Sequence, residues 1–123
     1  FVSKNSTQAI ASESKFTIAK IYYEQAKYNE AETTAKEVLK MKPTYDFWIA
    51  KSLILQSQIQ VAKNDLFQAE QTILSVVEHY PNEEDGIKLE AQAVYNEILQ
   101  LKSVPKEIVP SGTPEIEING GKN

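Results

Sequence analysis

Side chains able to do chemistry are few in this sequence, and they are scattered. His79 is the only histidine and cysteine is absent from all 123 residues, so a serine triad, a thiolate nucleophile and an imidazole or thiolate metal site each lack parts. His79 falls in the last turn before Pro81, where a cation complements the negative end of a helix, and this gives it a capping role. The run Glu83, Glu84 and Asp85 carries charge enough to attract a hard cation, but calcium loops space their ligands around a turn and three consecutive acids do not. Acidic residues opening a helix explain the run. No glycine-rich phosphate loop and no nucleophile-base pair is present. The sequence therefore nominates no catalytic, cofactor-binding or metal-ligating residue, requires no cofactor, and predicts a protein that is not an enzyme.

What remains is surface able to hold another molecule. Tyr22, Tyr23, Tyr28, Tyr45, Phe47, Trp48 and Phe67 recur at helical spacing and read as core packing rather than a ligand cage, with Tyr45 and Trp48 the two placed to project. The net charge of -4 comes from Lys interleaved with Glu, whereas a nucleic-acid binder gathers cations on one face; nucleic acid is not expected as a partner. No apolar run approaches the roughly 20 residues that cross a bilayer, since Phe47 to Leu55 is broken by Lys51 and Ser52. With 41% hydrophobic and 24% charged residues, the chain has the balance of one folded domain. Its opening, "FVSKNSTQ", has no initiator Met and no basic-then-apolar layout, and reads as a processed or excised piece.

The elements that must position any binding surface are helices. From Thr7 to Lys102 the only breakers are Pro43, Pro81 and Gly86, and apolar residues recur at intervals of three and four. Five amphipathic segments follow: one through Ala9, Phe16, Ala19 and Tyr23, one through Tyr28, Ala31, Ala35 and Val38, a third from Tyr45 to Lys63, a fourth from Leu66 to Tyr80, and a fifth through Ile87, Ala91, Val94 and Ile98. Asn5 with Gln8 suits a capping box at the first start, Asn64 and Asp65 suit a tight turn, and Asn82 with Asp85 suits the start of the fifth helix. Three regions result: a leading segment 1–6, a helical domain 7–103, and a tail 104–123 whose prolines and glycines forbid a helix.

One period runs through this domain. Ala19, Ala31 and Pro43 are followed 38 residues later by Ser57, Ala69 and Pro81, with steps of 12 in both copies. A spacing of this size marks stacked supersecondary units. Small residues let paired helices approach closely, and a proline ends the second helix of each pair. The stretch "FTIAKIYYEQAKYNEAETTAKEVLKMKP", with Ala19, Tyr22, Tyr28, Ala31 and Pro43 at signature positions, resembles a tetratricopeptide repeat. "LILQSQIQVAKNDLFQAEQTILSVVEHYP" is a second, more divergent copy, in which Gln60 stands where Tyr22 stands in the first. Ala26 and Asn64 occupy the turn position where the family usually has glycine, and asparagine suits a left-handed turn better than alanine does. The usual period is about 34, so roughly one extra helical turn lies between Pro43 and Ser57, carrying Tyr45, Phe47 and Trp48.

The resemblance implies an all-α fold, a right-handed α-α superhelix of stacked antiparallel helix pairs, with repeats at about 12–43 and 50–81 and a capping helix at about 84–102. On that helix Lys88, Glu90, Gln92, Glu97 and Gln100 form the polar outward face expected of a terminal unit. It also implies the C-terminal portion of a longer bacterial array and a periplasmic or cell-envelope location, with the cytoplasm as the alternative, since the lack of cysteine does not choose between the compartments. In such arrays the first helix of each pair lines a concave groove, which carries over to Glu13, Phe16, Lys20, Tyr23 and Glu24, and to Lys51, Ile54, Gln58 and Val61. The expected function is a non-catalytic scaffold that binds a protein or peptide partner in this groove. The family's Lys and Asn clamp for a C-terminal carboxylate is not matched, because Phe16 and Lys20 stand at those positions. The alternative is a self-association module forming a homo-oligomer through an apolar end at the first helix pair.

Overall fold

The structure, a computed structural model, describes residues 4–42 and 45–103. The tail 104–123, Pro43 and the first three residues lie outside the described residues. The chain is all-α, with α1 (Lys4–Glu24), α2 (Tyr28–Lys40), α3 (Asp46–Ala62), α4 (Leu66–His79) and α5 (Ile87–Ser103); no strand occurs among the described residues. Where the sequence predicts a start at Thr7, α1 begins at Lys4 and runs through Asn5; the expected capping pair of Asn5 and Gln8 lies outside the described side chains. Lys4 to Thr7 contains no proline or glycine, and the polar residues there cost a helix only a few tenths of a kcal/mol each.

The 38-residue period is written in the backbone. At the end of α1, Lys27 N–H donates to the Tyr22 carbonyl at 2.9 Å and Ala26 N–H to that of Tyr23 at 3.0 Å; at the end of α3, Asp65 N–H donates to Gln60 at 2.8 Å and Asn64 N–H to Val61 at 2.9 Å. Both are the same turn, a helix closed by one left-handed residue, with φ of 63° at Ala26 and 65° at Asn64. The second copy is better equipped. Asp65 caps α4 by accepting from Gln68 N–H at 3.3 Å, whereas Lys27 offers α2 no side-chain cap.

Each tight turn folds its two helices together at small residues. Ala19, Ala31 and Ala35 are fully buried, as are Ser57, Ala69 and Ile73 one period on. Ser57 keeps its hydroxyl satisfied across the pair by donating to the Ala69 carbonyl at 2.8 Å. Two apolar clusters form around these contacts. Phe16, Ala19, Ala31, Ala35 and Val38 share the first with Leu55 and Ile59 of α3. Ala50 and Ile54, also of α3, share the second with Ile73, Val76, Ala91, Val94 and Ile98.

The central helix therefore belongs to both cores. It touches all four others, whereas α2 and α4 do not touch each other and α1 does not touch α5. Helices α1, α3 and α5 thus make one layer, with α2 and α4 packed into its grooves. Lys63, in the second turn, ties the two pairs together by donating to Glu32 at 2.8 Å and to Asn29 Oδ1 at 2.6 Å on α2, and Lys102 of α5 ties that helix to α4 by donating to Glu70. The Lys63 hydrogen bond holds the Glu32 carboxyl below its ordinary range against the opposing effect of burial.

The fifth helix starts differently from the expectation. Glu83 and Glu84 precede it in a bend rather than opening it, and Gly86, at φ 86°, supplies the first helical acceptor to Glu90 N–H at 3.0 Å. Asp85 is the clamp: one carboxylate oxygen accepts from Ile87 N–H at 3.1 Å and the other from the Tyr80 hydroxyl at 2.5 Å. Its outward side is less polar than expected, since Leu89 is 78% exposed and Leu99 and Leu101 are also exposed.

The two turns generate the first prediction. Ala26 holds a conformation that costs an L side chain about 1–2 kcal/mol, so Ala26→Gly stabilises the fold by about 1 kcal/mol after the added freedom of the unfolded chain is subtracted. Asn64→Ala destabilises it. Urea unfolding of the two variants checks the opposite signs.

Candidate functional site

The side of the α1/α3/α5 layer turned away from α2 and α4 is the surface that carries the candidate residues. On α1, Glu13, Lys20 and Glu24 are exposed and Tyr23 is half-buried; on α3, Lys51, Gln58 and Val61 are half-buried. Lys51 joins the two flanks of this face. Its Nζ lies 5.6 Å from the centre of the Phe16 ring on α1 and 3.4 Å from Glu90 Oε1 on α5, a cation over an aromatic face and an ion pair at once.

Burial, the adjacent Tyr28 and the negative charge of Glu97 on α5 raise the Tyr23 phenol above its ordinary 10.0. Helices α1 and α5 have no direct contact, yet Lys51 of α3 reaches a side chain of each. The layer therefore has α3 as its floor and α1 and α5 as its rims. At the centre of that floor, the Gln58 side-chain amide is half-buried and has no hydrogen-bond partner among the described residues.

Two of the nine residues expected to face a partner do not. Ile54 is 1% exposed and sits in the second core cluster with Ala91, Val94 and Ile98 of α5, because α5 packs directly over that position. Phe16 is 8% exposed and stacks 5.7 Å from Trp48, so it supports Lys51 from beneath. Trp48 also fails to project: it lies between Phe16 and Phe47, the latter 4.8 Å away edge-on, and packs on the first core cluster. The added turn of α3 folds back against α1.

Glu90 and Glu97 belong to the face and were read from sequence as part of the solvent-facing side of α5. The signal was present in the spacing. Each immediately precedes a buried residue, Ala91 and Ile98, which places both at the edge of the apolar stripe rather than opposite it.

A separate cleft of about 320 Å³ opens between the start of α3 and the end of α4, lined by the apolar Ile49, Leu53 and Val76 and by the polar Asp46, Ser75 and His79. His79 is exposed in the last turn of α4, as expected. Tyr80 lines it as well. Burial, the hydrogen bond to Asp85, and the charges of Asp85 and Asp46 push its phenol up to about 12 from 10.0. Among the described residues no group of His, Asp or Glu is arranged to hold a metal ion, and no helix is long and apolar enough to cross a membrane.

No family model, curated protein or solved structure matches this chain. The geometry itself sets an alkaline limit on the fold. A phenol whose proton is held more tightly folded than unfolded contributes stability fully present below pH 10 and lost as the pH rises to about 12. Between those values the wild-type chain loses stability more steeply than Tyr80→Phe, as denaturant titrations at stepped pH will read; equal slopes would mean that the fold does not hold the Tyr80 proton.

Proposed function

We propose that this chain is a tetratricopeptide-type scaffold, a right-handed stack of helix pairs without catalytic activity, and that a polypeptide segment binds along the face floored by α3. The observation that carries this reading is the link across α3, where Lys51 lies between Phe16 of α1 and Glu90 of α5. It joins the two flanks of the layer without covering the strip between them. The shifted repeat of turn geometry supports the family assignment, since two turns 38 residues apart share the same hydrogen bonds.

The chemistry of the face suits a peptide. Gln58 offers one amide donor and acceptor to a main chain, Val61 and Tyr23 offer half-buried apolar surface, and Lys20, Glu24 and Glu97 place both signs of charge at the rims. A peptide laid along α3 satisfies such a mixture through its backbone and alternate side chains. A phosphate-rich ligand does not, because the floor's cation is already paired with Glu90.

Selection from a displayed peptide library checks the proposal. Binding peptides are expected, with affinity falling at least tenfold on Gln58→Arg, about 1.4 kcal/mol, and unchanged on Gln71→Arg on the opposite side of the molecule. Recovery of no peptide, or equal sensitivity to both substitutions, would contradict a binding face on α3.

A further inference from the structure

The outer side of α1 carries an uncovered apolar stripe with Ile10 at 55%, Ile18 at 47% and Ile21 at 47% exposed. Its counterpart one period on is covered. Shifting Ile10, Ser14, Thr17 and Ile21 by 38 residues gives Trp48, Ser52, Leu55 and Ile59, and there Ser52, Leu55 and Ile59 are buried where α3 meets the first helix pair. The α1 stripe thus has the form of a helix-docking surface with its helix missing.

We propose that the occupant is α1 of a second copy of this chain, packed antiparallel about a two-fold axis; this deepens the self-association alternative by naming its interface. The spacing of Ile10, Ser14, Thr17 and Ile21, alternately four and three apart, is the seam of a helix pair. About a two-fold axis between residues 15 and 16, Ile10 meets Ile21 and Ser14 meets Thr17 of the other copy, each twice, so large residues close the ends and small ones let the backbones approach in the middle. On one flank Ala11 meets Ile18. On the other, Glu13 and Lys20, seven residues apart and both exposed, pair reciprocally across the axis, and among the described residues neither has an ion-pair partner within its own chain. The same register satisfies the apolar seam and both charges, and a two-fold interface requires that self-complementarity.

One helix pair gives an interface at the small end of the range, so the dimer is expected to dissociate on dilution. Sedimentation equilibrium on the full chain, from about 5 to 500 μM, is expected to show growth from the 13.9 kDa monomer to twice that mass. Glu13→Lys and Lys20→Glu each set like charges together at two symmetric places and are expected to weaken dimerisation about tenfold or more. An equimolar mixture of the two restores it, because the swapped charges then pair between unlike copies. Circular dichroism is expected to show that both variants keep their helix content. A wild-type chain monomeric throughout, which is the outcome if the stripe takes a helix from a different protein, overturns the proposal. So do single variants that dimerise like wild type, or a mixture that stays monomeric. Gln58→Arg, which blocks the peptide face, leaves the dimer intact, so the two readings fail separately.

Discussion

The structure depends on two helix pairs approaching until little more than backbone separates them. Ala19 and Ala31 in the first pair, and Ser57 and Ala69 in the second, have no exposed surface. At normal interhelical distances of about 8–10 Å, a larger side chain at any of the four would push the pair apart. The serine shows how tight the second contact is: its hydroxyl has no room to turn to solvent and is satisfied by the facing Ala69 carbonyl. With each pair this narrow, Leu55 and Ile59 can reach the first core while Ala50 and Ile54 reach the second.

That double membership explains the character of α3. A helix with one buried face shows a clear apolar stripe, but α3 has neighbours on four sides and buries residues almost all round, from Ala50 through Gln60. Its one broad opening is the strip holding Lys51 and Gln58, and the candidate face exists because the packing of the other helices leaves that strip uncovered. The arrangement has a cost. The two buried side-chain atoms without a hydrogen-bond partner among the described residues, Ser52 Oγ and Gln56 Oε1, both lie on α3, at about 1–3 kcal/mol for each unsatisfied group.

Much of this was legible in the residues. The 38-residue repeat located both turns and both close contacts, and apolar spacing located the five helices, because small residues and left-handed turn positions leave marks that do not depend on distant neighbours. Other features depended on tertiary placement and could not be read locally. Nothing in the sequence near Ile54 says that α5 will pack over it, so periodicity assigned it to the open face. Asp85 looked like a helix-opening residue, and only the fold brings the Tyr80 hydroxyl to its carboxylate. The start of α1 was misplaced because Lys4 to Thr7 lacks both a breaker and a decisive cap.

The central claim is that the pairs close on small residues, and its most direct measurement is the unfolding free energy of Ala69→Leu by urea titration. The branched side chain has no space beneath Ser57, so a loss of about 2–3 kcal/mol is predicted, with the helices retained but looser. An unchanged or increased stability would mean that the second pair is not held at backbone contact, and the two cores and the face over α3 would lose their common basis.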